Sequence, residues 1–381
     1  MKTAKGLIVG IVVVALGFLV IYSQTGIPEE ARKKKPEAAA AGYGGAVSPR
    51  TPLLEYIDAT ATPGEEKKLK GMTLNLHLLA TPADLEKNLG KWVLVDCRPK
   101  DLYDEGHIPT AIHLGETCND FFRDDLEIKG IGVVKELAMG RVEELEKKLG
   151  KVGISHDKTL IFYDQREDPD EVRKGRYYGI FAGYVFVPFW YLEYMGHKDV
   201  RVLDGGIGAW TADGKSLEQK ANKLSPTQFR ANVVKSRLAT TEEVLKIARK
   251  EVAAQLVDSR TMDEYLGNAP TPKGHFLADK IRRAGRIPNT VLNVPHYFQL
   301  NVKVNPDAPK LRPVHQLQRL YQSLDKNKRT VLYCYIANRI SFSYFVLRLL
   351  GFNDPAIYHD SWIVWGNEEA LPVETGKKVK G

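Results

Sequence analysis

The 381-residue chain is 43% hydrophobic and 27% charged, ordinary for a globular protein with room for about two domains. Its net charge of +8 is spread without a basic stripe or nucleic-acid motif, which favours small anions or an anionic membrane surface over nucleic acid as partners. The three cysteines, Cys97, Cys118 and Cys334, are too few and too irregular for a disulfide framework or a zinc site; at most Cys97 and Cys118 pair, leaving Cys334 free.

In chain order, Lys2 and Lys5 precede an uncharged apolar run from Gly6 to Tyr22, at the lower edge of what spans a bilayer as a helix. Residues 1–27 therefore read as a membrane anchor or signal. No convincing small-x-small cleavage site follows at Val20 to Gln24, so an uncleaved anchor is preferred, with the soluble body on the periplasmic or extracytoplasmic side. Residues 28–71, rich in Ala, Gly, Pro and Lys without an apolar period, read as a linker.

A globular pattern then appears twice. Trp92-Val93-Leu94-Val95 leads into Asp96-Cys97-Arg98, Tyr103, Gly106-His107-Ile108-Pro109 and Ala111-Ile112-His113-Leu114. Gln255-Leu256-Val257 leads into Asp258-Ser259-Arg260, Tyr265, Gly285-Arg286-Ile287-Pro288 and Val291-Leu292-Asn293-Val294. Each copy closes on a tryptophan, Trp210 or Trp365, giving a period of roughly 110 positions, too long for a solenoid and right for a duplicated domain. Domain 1 is expected over 72–218 and domain 2 over 236–376, with the Lys-, Asn- and Gln-rich stretch from about Ser216 to Ser236 as connector. Apolar strands alternate with amphipathic helices, as in Val142, Leu145 and Leu149 before Thr159–Tyr163. The expected class is α/β, each domain a doubly wound, mainly parallel sheet flanked by helices.

The chemistry concentrates late in the chain. Thr330–Tyr333 reads as a buried strand, and Phe342, Phe345, Val346, Leu349 and Leu350 recur at helical spacing before Gly351. Cys334 falls between strand and helix, where unpaired amides stabilise a thiolate, and Arg339 returns five residues later to hold an anion against the sulfur. Ligands of such sheets bind beyond the carboxyl ends of the strands, where Cys334 lies.

The Cys334–Arg339 loop, the Tyr358-His359-Asp360-Ser361-Trp362-Ile363-Val364-Trp365-Gly366 segment and the paired Asp-x-Arg and Gly-x-Ile-Pro marks resemble tandem-domain rhodaneses, the thiosulfate/3-mercaptopyruvate sulfurtransferases, from about Met72 to Gly376. The resemblance implies a double displacement in which Cys334 takes sulfane sulfur from an anionic or persulfide donor. The sulfur passes to a thiol, to cyanide or to a sulfur-carrier protein, without metal or organic cofactor. It assigns the catalytic role to Cys334 and substrate contacts to Tyr335, Ile336, Ala337, Asn338 and Arg339. For Asp258 and Arg260 it leaves two roles open, substrate contact or a buried ion pair that fixes the loop. The first domain is expected to be silent, because Asp164 stands where the second has Cys334.

Three departures bear on the substrate. Tyr335 and Ile336 are bulkier than the small residues usual after this cysteine. Glu264 stands where thiosulfate-preferring members carry arginine, which predicts poor use of thiosulfate. The anchor and linker are not part of the usual tandem enzyme. His107, His113 and His275 lack ligand spacing and read as structural, as does His359. The alternatives are a non-turnover persulfide carrier, redox sensor or docking module of the same fold, and a cysteine-dependent phosphatase, disfavoured because only four residues separate Cys334 from Arg339.

Overall fold

The computed structural model describes residues 59–164, 185–268, 277, 279–301 and 310–376. The expected membrane segment Gly6–Tyr22, most of the linker and His275 lie outside the described residues; among the described residues no helix is long and apolar enough to cross a membrane.

The first domain holds β1 (Leu79–Ala80), β2 (Val93–Asp96), β3 (Ile112–His113), β4 (Arg123–Ile128), β5 (Gly132–Met139), β6 (Leu160–Tyr163) and β7 (Val200–Leu203). Five of these form a parallel sheet in the order β1-β7-β6-β2-β3. The second domain holds β8 (Gln255–Asp258), β9 (Thr290–Asn293), β10 (Leu300–Asn301), β11 (Lys310–Leu311), β12 (Thr330–Tyr333) and β13 (Pro355–Ile357). Its parallel sheet runs β13-β12-β8-β9, with β10 and β11 as a separate antiparallel pair.

Strand residues alternate between two apolar layers, the arrangement expected of a sheet covered on both faces. In the first domain Leu94, Ile161 and Leu203 pack with Ile207 and Trp210. On the opposite face, Val95, Phe162 and Val202 join a core that continues into the second domain through Val257, Leu332 and Ile357. The Phe186–Tyr194 and Asn338–Leu349 helices lie in this shared core. The Phe186–Tyr194 helix, apolar but for Glu193, has to be buried, and it stacks Phe186 on Phe342 of the second helix at 4.5 Å and sets Phe189 edge-on to Phe345 at 4.9 Å. Their one acidic side chain, Glu193, is met by Arg348 at 2.9 Å and by the Tyr344 hydroxyl at 2.6 Å.

Two segments differ from the sequence reading. The end of the expected linker is not a bare tether. Pro63–Lys70 is a helix with a Thr62–Glu65 capping box, and Glu65 pairs with Arg319 of the second domain at 2.6 Å. The expected connector is pinned along the first domain through Glu218 to His107, Thr227 to Gly150 and Asn232 to Met195. The β4–β5 hairpin, unforeseen in the sequence, reaches the second domain: Ile128 and Leu137 share a core with Tyr335, Ile336 and Trp362, and the Lys129 carbonyl accepts from Arg282 at 2.7 Å.

Candidate active site

Cys334 follows β12, the strand flanked by β13 and β8, and its side chain is buried. The first turn of the Ser361–Trp365 helix clamps the loop. The Cys334 amide donates to Ser361 Oγ at 3.2 Å, the Cys334 carbonyl accepts from Trp362 at 2.9 Å and the Tyr335 carbonyl from Ile363 at 3.0 Å. Ala337 turns the chain in the left-handed region, φ 65°, and the helix starts at Asn338. Among the described residues the amides of Ile336 to Ile340 find no acceptor, so one end of a long helix presents donors beside the sulfur. A buried polar chain fixes that end. Ser343 Oγ meets Ser259 Oγ at 2.9 Å and accepts from Gln299 at 3.0 Å, and Gln299 accepts from the Tyr321 hydroxyl at 2.7 Å.

Arg339 is at the site, but it already has an anion. Its two terminal nitrogens meet the two oxygens of Glu264 at 3.1 and 3.2 Å, and Glu264 is buried. Burial alone would raise the Glu264 carboxyl; Arg339 instead holds it down to about 2. The Glu264 backbone is fixed as well, since Thr261 and Glu264 form a capping box at the start of the Met262–Leu266 helix. The sequence reading set Glu264 as a free repulsive charge facing the donor; the structure corrects this, because Glu264 neutralises Arg339. The Tyr335 ring lies against both guanidiniums, 4.8 Å from Arg339 and 5.5 Å from Arg260, and burial together with nearby Glu264 raises its phenol far above the ordinary value.

Of the two roles left open for Asp258 and Arg260, the geometry fits the buried pair. Arg260 donates to both Asp258 oxygens, at 3.1 and 2.7 Å, and to the Gly285 carbonyl at 2.7 Å, and covers the Trp362 ring at 4.3 Å. Burial opposes its charge, but Asp258 raises its affinity for the proton. Tyr335, Ile336 and Ala337 are buried beside Cys334, and Asn338 is half-buried at the helix start. His107 and His113 bind the backbone carbonyls of Tyr103 and Arg98, as structural histidines do. His359 is buried against Tyr191, 3.1 Å from its hydroxyl.

Sequence reasoning passed over His296. It follows β9 at the same carboxyl edge, donates its amide to the Ser259 carbonyl at 3.2 Å, and is 6% exposed. Burial, reinforced by Arg339, pushes its imidazole down to about 3. Its position, just past a strand neighbouring the one that bears Asp258, was the available signal. The Thr261-x-x-Glu264 spacing likewise announced a capping box and hence a fixed glutamate.

A duplicated parallel α/β body with one free cysteine on the loop after a central strand defines a tandem cysteine-centred protein. The rhodanese-like domain family matches the chain twice, over residues 81–213 and 240–368. The chain is 32% identical over 285 residues to the sulfur carrier protein TtuD of Thermus thermophilus, covering 73% of this chain and 88% of that protein. It is 30% identical over 292 residues to the thiosulfate sulfurtransferase of Corynebacterium glutamicum, covering 73% and 83%. In fold it is similar to the anaerobic ergothioneine biosynthesis enzyme of Chlorobium limicola (TM-score 0.62, 21% identity, 79% of this chain and 71% of that one). It is also similar to the SseA 3-mercaptopyruvate sulfotransferase of Escherichia coli (TM-score 0.56, 19% identity, 75% and 98%). The chain belongs to the rhodanese family, with two such domains in tandem.

Proposed function

We propose that this protein is a sulfurtransferase in which Cys334 carries the sulfur as a persulfide, and that its donor is an organic or protein-bound persulfide rather than thiosulfate. The observation that carries the reading is Cys334, the free thiol among the described residues, set under unpaired helix amides within the matched second domain. The Cys334 thiolate attacks the outer sulfur of R–S–SH, giving Cys334–S–SH and R–S⁻. An acceptor thiolate R′–S⁻ then attacks that outer sulfur, giving R′–S–SH and restoring the Cys334 thiolate. The amides of Ile336 to Ile340 favour negative charge on the sulfurs. Because Glu264 neutralises Arg339, the site offers little net positive charge to a dianion, which supports a less charged donor. Incubating the full chain with glutathione persulfide and, separately, thiosulfate tests this by intact mass. A +32 adduct forms with the persulfide and not in Cys334→Ser; absence of any adduct overturns the proposal.

A second reading, a persulfide carrier without efficient turnover, is favoured by the bulky Tyr335 and Ile336 and by the relative named a sulfur carrier protein. It predicts the same adduct but slow release to cyanide.

The proposal extends to place: Gly6–Tyr22 tethers the body at a membrane, on the oxidising side. The Cys97–Cys118 disulfide supports that side, since such bonds persist where thiols are not kept reduced. Thiol labelling of intact cells with a membrane-impermeant reagent tests it: after mild reduction, labelling of the body from outside supports the assignment, and labelling only after lysis refutes it.

A further inference from the structure

We propose that His296 is the neutral hydrogen-bond donor that holds the sulfane sulfur of the Cys334 persulfide, an assignment that rests on the sulfurtransferase reading above. Placement comes first. The carboxyl ends of β12, β8 and β9 lie side by side, and Ser259 links them: its amide donates to the Tyr333 carbonyl at 3.0 Å and its carbonyl accepts from the His296 amide at 3.2 Å. Cys334 and His296 thus emerge on either side of one residue, at the edge where such sheets take ligands. Gln299 holds the His296 carbonyl at 3.1 Å and at the same time Ser343, so the backbone of His296 is tied to the helix that begins beside Cys334.

The ring itself is unspent. His296 is 6% exposed, yet its buried Nδ1 has no hydrogen-bond partner among the described residues. Other buried histidines spend at least one ring nitrogen on a partner: His107 binds the Tyr103 carbonyl, His197 the Ser155 carbonyl and His359, whose Nδ1 is likewise unpartnered, meets the Tyr191 hydroxyl through Nε2. Native structures rarely leave such an atom alone, and one beside a reacting group marks a missing ligand. Arg260 Nη1 also lacks an acceptor, but its guanidinium rests on the Trp362 ring at 4.3 Å, which accounts for it; the neighbour of His296, Tyr297, meets it only edge-on at 5.7 Å.

Charge decides the kind of donor. Burial, reinforced by Arg339, keeps the imidazole unprotonated, so it brings one N–H and no charge, while Glu264 cancels Arg339. A terminal persulfide sulfur, large and diffuse in charge, is stabilised by such a donor together with the loop amides. No proton changes hands in this role: the N–H shortens the reach of the sulfane sulfur and keeps it toward the acceptor.

The test loads the full chain with glutathione persulfide and follows the lifetime of the +32 adduct on Cys334, with thermal unfolding measured alongside, in the wild type, His296→Leu and His296→Asn. His296→Leu shortens the lifetime and raises the donor KM by about ten- to a hundredfold, the effect of one hydrogen bond to a charged group. His296→Asn, which restores an N–H near Nδ1, recovers most of it, and the wild-type kcat/KM shows no imidazole titration between pH 6 and 8. Equal lifetimes in wild type and His296→Leu overturn the assignment while leaving Cys334 chemistry standing. Equal impairment in both variants, in step with lost thermal stability, reduces His296 to packing and also overturns it. A wild type that forms no adduct removes the sulfurtransferase reading, and this one with it.

Discussion

In the first domain Arg98 bonds Asp96 and reaches the Gly106 carbonyl; in the second Arg260 bonds Asp258 and reaches the Gly285 carbonyl. The Tyr163 hydroxyl accepts the Ile108 amide, and the Tyr333 hydroxyl the Ile287 amide. Strand register makes the pairing strict, since Tyr163 faces Asp96 as Tyr333 faces Asp258. On these equal frames the next residues diverge: Asp164 against Cys334, Leu102 against Glu264, Gly206 against Ser361, Glu116 against His296. The buried Asp-x-Arg pairs therefore belong to the frame, because the first domain, with Asp164 in place of the loop cysteine, keeps its own. The residues found only in the second domain are the ones to credit with chemistry.

The largest expected effect tests that division directly. Cys334→Ser reduces sulfur transfer to background, whereas Asp164→Cys creates no second centre, because a thiol there lacks the counterparts of Glu264, His296 and Ser361. Single-turnover assays with a persulfide donor on both variants measure this; transfer by Asp164→Cys in a Cys334→Ser background would show that the frame alone suffices.

Next comes the charge of the cradle. Glu264→Gln keeps the capping geometry but frees Arg339. Thiosulfate kcat/KM then rises about ten- to a hundredfold, with the gain shrinking as salt is added, and stability falls by about 3 kcal/mol because a buried cation loses its partner. Steady-state kinetics at two ionic strengths and chemical denaturation check both halves.

How much of this the sequence disclosed follows from the range of the interactions. The duplication, the parallel sheets and the place of Cys334 rest on local periodicity and order, and all were legible. The Cys97–Cys118 bond was legible as a possibility only, because pairing depends on where the loops after β2 and β3 come together. The Glu264–Arg339 pair joins residues 75 positions apart, and sequence alone left Glu264 pointing at the donor instead. His296 carries no motif; only the adjacency of β9 to β8 brings it to the site.

The acid limb of stability sharpens the comparison further. The imidazole of His296 is pushed down from 6.5 to about 3, so below pH 6.5 the unfolded chain binds a proton that the fold refuses. Buried His359, lowered by burial and by Arg123, acts in the same direction. Glu264, held at about 2 against an ordinary 4.5, contributes fully above pH 4.5 and loses its contribution as pH falls toward 2. Stability therefore rises with pH, by about 1.4 kcal/mol per pH unit for each such group within its window. In His296→Asn the slope between pH 6.5 and 4.5 drops by about that amount, measured by denaturant unfolding across pH.

The smallest effect concerns the turn that clamps the loop. Gly206 in the first domain and Ser361 in the second both sit in the left-handed region, φ 55° and 48°. A side chain at Gly206 would lie 2.3 Å from the Asp164 carbonyl oxygen, so glycine is the economical residue there. The second domain accepts the strain of a serine, and its hydroxyl takes the Cys334 amide while donating to the Tyr358 carbonyl at 2.8 Å. Ser361→Gly relieves backbone strain of about 1 kcal/mol and loses hydrogen bonding of similar size, so the melting temperature moves little. The Cys334 amide, however, is left without its acceptor and the sulfur loses its fixed direction. Sulfur transfer falls several-fold at nearly constant stability; a change in stability without a change in rate would make Ser361 part of the frame that both domains share.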